Sequence, residues 1–169
     1  MGGVVAGIVA SGTLVGVPGA GNTFDYTLTL SNAPNATTSI EGFWYAWIPG
    51  KFFLPTTPSS ASGAASGWSA ILVGNSIQFQ GAAGTAIGPA GSKSFTFVTT
   101  DTPVALAGTS GGFPIGDSVA YPGSIDGSDS PPDEQITVQS LLSVPEPSSS
   151  GLLITGAFGL LAAGWRKRR

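Results

Sequence analysis

The chain contains no cysteine and no histidine. Without cysteine no disulfide can stabilise the fold, and the redox compartment leaves no trace in the sequence. Without histidine the chain cannot build a Ser-His-Asp or Cys-His catalytic centre, an imidazole acid or base, or an ordinary zinc site. These absences favour a protein that is not an enzyme and that uses no cofactor.

Charge is also scarce, since only 9% of the residues are charged, against about 25% in a typical soluble domain. Four of the six cations lie at 166–169, which leaves Lys51 and Lys93 against all nine acids over residues 1–165. That part of the chain therefore has a net charge of −7. Such an acidic surface argues against nucleic acid as a partner and against electrostatic binding to anionic lipid.

Residues 143–169, SVPEPSSSGLLITGAFGLLAAGWRKRR, differ in kind from the rest of the chain. They begin with a stiff motif, because proline fixes φ and restricts the residue before it; the motif is Val144, Pro145, Glu146 and Pro147. An uncharged segment follows at 151–165, rich in leucine, glycine and alanine. The tail therefore has three consecutive parts, of which the last is the basic block Arg166, Lys167, Arg168 and Arg169.

The length of the uncharged segment predicts a transmembrane helix. Fifteen residues give roughly 22 Å of helix at about 1.5 Å each, and a start at Ser148 gives roughly 27 Å, close to the ~30 Å hydrocarbon core of a bilayer. An amphipathic helix packed on the domain is the alternative, but only Thr155 is polar between Gly151 and Gly164, so no face suits water. The predicted anchor residues are Gly151, Leu152, Leu153, Ile154, Leu160, Leu161 and Trp165.

Basic residues next to a membrane span prefer the cytoplasmic side. The basic block therefore predicts a cytoplasmic C-terminus, with everything before Gly151 outside the inner membrane. The predicted organisation is an exported domain at 1–142, a motif and linker at 143–150, a single transmembrane helix at 151–165 and a cytoplasmic tail at 166–169.

The order and spacing of these three parts resemble the PEP-CTERM sorting signal of Gram-negative bacteria. The resemblance rests on 145–147, 151–165 and 166–169, and covers about a sixth of the chain. In that family a membrane enzyme of the transpeptidase type, exosortase, recognises the signal, and the protein is processed near the motif. The resemblance implies two partners, the membrane and an exosortase-type enzyme, with exopolysaccharide as a further candidate. It also implies an inner-membrane stage followed by delivery to the cell surface or the extracellular matrix.

The rest of the chain has the pattern of β-strands. At 22–30 apolar and polar residues alternate with a period of two. At 39–48 both faces are apolar: Ile40, Trp44, Ala46 and Ile48 are predicted on one side, and Phe43, Tyr45 and Trp47 on the other. One of these faces has to be covered by a loop, a second sheet or a partner.

Further strands are predicted at 68–73, 76–80, 92–100, 103–107, 118–121 and 135–141, with a hairpin turn at Gly74 and Asn75 and a low-complexity loop at 56–67. Many short strands without helical periodicity predict an all-β protein, an antiparallel β-sandwich. The sandwich is then followed by the linker and the single C-terminal transmembrane helix.

Two interpretations are open for residues 1–21. The segment is moderately apolar, as a signal peptide would be, but it has no basic start and its VPGA is a poor cleavage site. We therefore favour two strands, at 4–10 and 12–17, with the export signal upstream of the sequence.

Two clusters suggest binding chemistry. Carboxylates on a loop suit a hard cation such as calcium, and the weak candidates are Asp126, Asp129 and Asp133; their spacing matches no EF-hand, which favours a solvated acidic loop. Trp44, Tyr45 and Trp47, with Trp68, suggest a platform for sugar rings, although strand aromatics more often fill a core.

The sequence thus favours a non-enzymatic exported protein of the cell surface or extracellular matrix. A membrane-anchored carbohydrate-binding module is the alternative.

Overall fold

The computed structural model describes residues 7–63 and 67–141. In those residues the chain forms fourteen strands and one helical turn. They are β1 (Ala10–Pro18), β2 (Phe24–Asn32), β3 (Gly42–Tyr45), β4 (Trp47–Ile48), β5 (Lys51–Phe52), β6 (Ser60–Ser62), β7 (Trp68–Leu72), β8 (Ile77–Gly81), β9 (Ser92–Thr99), α1 (Pro103–Leu106), β10 (Thr109–Ser110), β11 (Phe113–Pro114), β12 (Asp117–Tyr121), β13 (Glu134–Thr137) and β14 (Gln139–Leu141).

Ten of these strands make two five-stranded sheets, in the orders β14-β1-β2-β9-β6 and β13-β12-β3-β8-β7, and the remaining four make two short hairpins. The prediction of an all-β sandwich is therefore confirmed. One pairing differs from a purely antiparallel sandwich, because β14 runs parallel to β1. The physical reason is that β13 and β14 are consecutive but lie in different sheets, so no hairpin joins them.

The chain changes sheets at Val138. Its N–H donates to the carbonyl oxygen of Gly116 at 2.8 Å, and its buried side chain joins the core. Glycine is required on both sides of this crossing: a Cβ on Gly12 would lie 2.7 Å from Val138 Cγ2, and one on Gly116 would overlap the Val138 carbonyl oxygen. The two sheets are thus joined at one end by close backbone contact.

The inward faces of the two sheets form one continuous core. Aromatic rings meet across it, with centroids 4.5 Å apart for Phe79 and Phe95 and 5.5 Å apart for Tyr45 and Phe97. In the alternating strand β2, Tyr26, Leu28 and Leu30 are buried, and the polar residues between them face outwards. The period of two in the sequence therefore predicted the orientation of this strand correctly.

The N-terminal prediction is confirmed for one strand of the two. The strand expected at 12–17 lies within β1. Of the strand expected at 4–10, residues 4–6 lie outside the described part of the chain, residues 7–9 have no strand structure, and Ala10 begins β1.

The strand predicted at 103–107 is wrong, because α1 occupies these residues. Thr102 caps the turn, its Oγ1 accepting the N–H of Ala105 at 3.2 Å, and Pro103 takes the first helical position. A threonine cap followed by proline is a strong start signal for a helix, and here it outweighs the strand preference of Val104. The loop predicted at 56–67 also contains β6, an edge strand paired with β9.

A buried carboxylate closes one end of the sandwich. Asp101 is 6% exposed, and its carboxylate accepts the N–H of Thr56 at 3.2 Å and the Thr56 hydroxyl at 2.9 Å. The carbonyl oxygen of Asp101 accepts the hydroxyl of Tyr26 at 2.7 Å. The segment before β6 is therefore tied to the residues that follow β9.

Candidate functional site

The aromatic segment predicted as one strand at 39–48 is broken at Ala46. This residue has φ of 56°, in the left-handed region, and it separates β3 from β4. Side chains alternate in a regular strand, so the sequence predicted Trp47 on the side of Phe43 and Tyr45. That prediction is wrong, because the left-handed residue shifts the alternation and brings Trp47 to the side of Trp44.

The indole rings of Trp44 and Trp47 are stacked, with centroids 3.7 Å apart and planes 5° from parallel. They are 8% and 4% exposed and, together with Val119 and Tyr121, form a second apolar cluster, called here the outer cluster. The Nε1–H of Trp44 donates to the Ser76 hydroxyl at 2.8 Å. The polar edge of this ring is therefore satisfied inside the protein.

The predicted sugar platform is not exposed. Trp44 and Trp47 cover each other, and Tyr45 points into the main core, where it is 1% exposed. Trp68 also belongs to the main core, and its Nε1–H donates to the carbonyl oxygen of Thr85 at 2.8 Å. The side chains have the alternative role that the sequence allowed, the burial of a large apolar area.

A loop covers the outer cluster. The hydroxyl of Tyr121, at the end of β12, donates to the carbonyl oxygen of Ser128 at 2.8 Å. The N–H of Ile125 donates to Gln80 Oε1 at 3.1 Å, and the Ile125 side chain packs against the cluster. The loop after β12 thus supplies the cover that the sequence required for one aromatic face.

The acidic residues proposed as weak metal ligands lie in and after this loop. Asp126 Oδ1 accepts the N–H of Ser128 at 2.9 Å, and Asp133 Oδ2 accepts the Ser128 hydroxyl at 2.6 Å. Burial raises the pKa of Tyr121, and the negative charges of Asp133, Asp126 and Asp129 raise it further. Two of the three carboxylates therefore shape the loop. In the part of the chain that the structure describes, no three acidic side chains are grouped so that they could hold a metal ion.

A cleft of about 220 Å³ opens between α1, the start of β12 and the crossing from β13 to β14. Among the described residues, none that lines the cleft is charged. The lining combines apolar and polar side chains, among them Leu106, Pro114, Ile115, Val138, Thr137, Gln139 and Ser140. The sequence did not indicate this cleft, because the residues of α1 were predicted to form a strand. Its walls come from three separate segments, 106–108, 114–116 and 137–140, and no local pattern links them.

The sorting motif, the predicted membrane anchor and the basic block lie outside the described residues, which end with β14 at Leu141. Within residues 7–63 and 67–141, no helix has the length and apolar character that crossing a bilayer requires.

Comparison with solved structures finds matches of low sequence identity. A GH20 exo-β-N-acetylglucosaminidase from Vibrio harveyi, in complex with N-acetylglucosamine, has 13% identity and a TM-score of 0.47, over 82% of this chain and 19% of that enzyme. An inactive mutant of the same enzyme gives the same values. The chain thus spans about a fifth of the enzyme's length.

The chitin-binding domain of Chi18aC from Streptomyces coelicolor has 18% identity and a TM-score of 0.41, over 70% of this chain and 96% of that domain. No curated protein matches the chain in sequence.

Comparison with family models finds one match at the C-terminal end. The PEP-CTERM protein-sorting motif matches residues 143–169, the stretch that begins two residues after β14. It includes the Pro-Glu-Pro motif at 145–147, the uncharged segment at 151–165 and the basic block at 166–169. The chain therefore carries at its C-terminal end a PEP-CTERM protein-sorting motif, the signal of exosortase substrates, and this motif implies an exported protein.

Proposed function

We propose that the chain is a non-enzymatic protein of the cell surface or extracellular matrix. After export its sandwich stays at the outer side of the inner membrane, held by a helix at 151–165 until processing near Pro145 and Pro147. The observation that carries the proposal is the match of 143–169 to the sorting motif. The described strands support it, since all of them lie before the matched residues 143–169.

The distribution of charge supports this orientation. Four cations are concentrated at 166–169, and Lys51 and Lys93 are the only others in the chain. Because basic residues near a membrane span remain on the cytoplasmic side, the concentration of charge at one end favours export of everything before the span.

The use of the buried acids supports a role without catalysis. Asp101 holds the Thr56 segment, and Asp117 accepts the Thr137 hydroxyl at 2.7 Å. Both carboxylates have a structural partner, and the chain has neither histidine nor cysteine to serve as a general base or nucleophile. A scaffold or matrix role therefore fits the described residues better than turnover of a substrate.

The test compares the intact mass and location of the protein in a Gram-negative host with and without exosortase. We expect the host with the enzyme to give a shorter, surface-delivered product cut near 145–147. Replacing Pro145, Glu146 and Pro147 by alanine should abolish this cut, whereas the matched change Glu134→Ala, on β13, should leave it intact. Equal masses in both hosts, or surface delivery after deletion of 143–169, would contradict the proposal.

A second candidate function, a carbohydrate-binding module on the same anchor, no longer has the tryptophan platform to support it. The observation that favours it is instead the uncharged cleft beside α1. Exopolysaccharide then remains the candidate partner, through a site that the sequence did not indicate.

A further inference from the structure

The cleft beside α1 has walls fixed by backbone hydrogen bonds. The carbonyl oxygen of Gly116 accepts both the N–H of Val138 and the hydroxyl of Ser118, each at 2.8 Å. On the other side, the N–H of Ile115 donates to the carbonyl oxygen of Gly108 at 3.1 Å. A ligand that enters this cleft therefore does not need to order the chain that surrounds it.

The size and lining of the cleft match a small amphipathic ligand. Its volume of about 220 Å³ lies below the ~300–1,000 Å³ of pockets for drug-sized molecules, so it suits a single ring. Pro114 and Ile115 provide apolar surface, while Thr137 and Gln139 provide groups that form hydrogen bonds. An apolar wall with a few polar groups is the usual composition of a small-molecule site.

Ser140, which also lines the cleft, has an unused hydroxyl. Its Oγ is shielded from solvent and has no hydrogen-bond partner among the described residues. Buried polar groups nearly always have a partner, and an orphaned one indicates that a water or another group belongs beside it.

The lack of a cationic side chain among the described lining residues disfavours an anionic ligand. No charged residue lines the cleft in the described part of the chain. The acid next to it, Asp117, is buried, and its Oδ1 accepts a hydrogen bond from the Thr137 hydroxyl. An anion placed there would be desolvated without a countercharge, which is strongly unfavourable. We infer that the cleft binds one neutral sugar ring, with its hydroxyl groups towards Thr137 and Gln139 and its apolar face against Ile115. The inference concerns the sandwich and does not depend on the sorting signal.

The test uses the full chain purified in a detergent without a sugar headgroup, and saturation-transfer NMR with glucose, galactose, N-acetylglucosamine and glucuronate. Glucose and glucuronate form a matched pair that differs in charge. We expect at least one neutral sugar to bind in the millimolar range, and glucuronate to bind at least about tenfold more weakly than glucose. The absence of binding by every neutral sugar at high millimolar concentration, or equal binding of glucuronate and glucose, would overturn the inference.

Variants then locate the site. Gln139→Ala should weaken binding about fivefold, the effect of one net hydrogen bond. The matched control is Gln135→Ala, which removes an exposed glutamine of β13 that does not line the cleft. Ala107→Trp should fill the cleft and abolish binding, provided that near-UV circular dichroism shows a native fold. If this variant does not fold, the two glutamine variants decide: an equal effect of both would overturn the assignment.

Discussion

Trp44 and Trp47 stack face to face with ring centroids 3.7 Å apart, although their separation of three positions would place them on opposite faces of a regular strand. The cause is Ala46, which lies between them with φ of 56° and is fully buried. A non-glycine residue in this region is strained by about 1–3 kcal/mol. The outer cluster therefore depends on one alanine held in a costly conformation by the packing around it.

Ala46→Gly is expected to leave the free energy of unfolding within about 1 kcal/mol of its original value. Glycine removes the strain, which offsets the loss of one buried methyl group, about 0.8 kcal/mol. The control is Ala120→Gly, a buried alanine of β12 without positive φ, which should cost about 1.5 kcal/mol. Urea unfolding of the full chain in detergent, followed by circular dichroism, measures both. Equal losses would contradict the role assigned to the strained backbone.

Asp101→Ala is expected to lower the free energy of unfolding by about 2–3 kcal/mol, because the Thr56 N–H and hydroxyl both lose their acceptor. Asp25→Ala, which removes an exposed carboxylate of β2, should change it by no more than about 0.5 kcal/mol. The same urea series compares the two variants. If the buried and the exposed acid gave the same small effect, the network around Asp101 would not stabilise the fold.

Stability is expected to decline at alkaline pH. Burial raises the pKa of Tyr45, with smaller contributions from Tyr26 and Asp101, and burial likewise raises the pKa of Tyr26 and Tyr121. The folded state thus retains protons that the unfolded state loses above its tyrosine pKa of about 10. The stability that each buried tyrosine contributes is fully present below that pH. Above it, the free energy of unfolding falls by about 1.4 kcal/mol per pH unit for each such tyrosine.

Urea midpoints at several pH values between about 8 and 11, together with tyrosinate absorbance, test this expectation. Tyr45→Phe should make the free energy of unfolding fall less steeply with pH, because one of the three buried hydroxyl groups is removed. Tyrosinate that appears near the ordinary pKa while the fold is intact would contradict the burial of these hydroxyls.

The basic block should determine the orientation of the exported body. Replacing all four residues at 166–169 by glutamine is expected to reduce the exposed fraction of the body, because the positive charge that remains inside is lost. Replacement by four lysines keeps the charge and should have no effect. Because the chain lacks cysteine, Ala83→Cys, at an exposed position, gives a single site for a membrane-impermeant maleimide. Equal labelling of the glutamine and lysine variants would show that the block does not set orientation.

The features that sequence analysis predicted correctly are those contained in consecutive residues. The alternation in β2 gave the buried face of that strand, and the order of motif, span and basic block gave the sorting signal. In α1 the helix signal is also local, since Thr102 is followed by Pro103, and this signal outweighs the β-propensity that predicts a strand there.

Other features depend on contacts that the sequence does not display. A glycine in the sequence often marks a left-handed residue, but position 46 is an alanine. The shift that pairs Trp44 with Trp47 could therefore not be predicted from the alternation. The crossing at Val138 depends on Gly12 and Gly116, which are about a hundred residues apart. The cleft is a product of that crossing and of α1, and could be found only once both were placed.

The last of the described residues is Leu141, at the end of β14, and the sorting signal begins two residues later, at Ser143. On the proposed processing, any cut at or beyond Ser143 leaves every described strand whole, so release requires no strand of the sandwich to be broken. Before the cut, the nine residues at 142–150 reach at most about 30 Å when fully extended. On the proposed anchor the enzyme must then reach its bond within the narrow gap between a rigid sandwich and the membrane surface, which makes access, as well as the motif itself, a determinant of the rate of release.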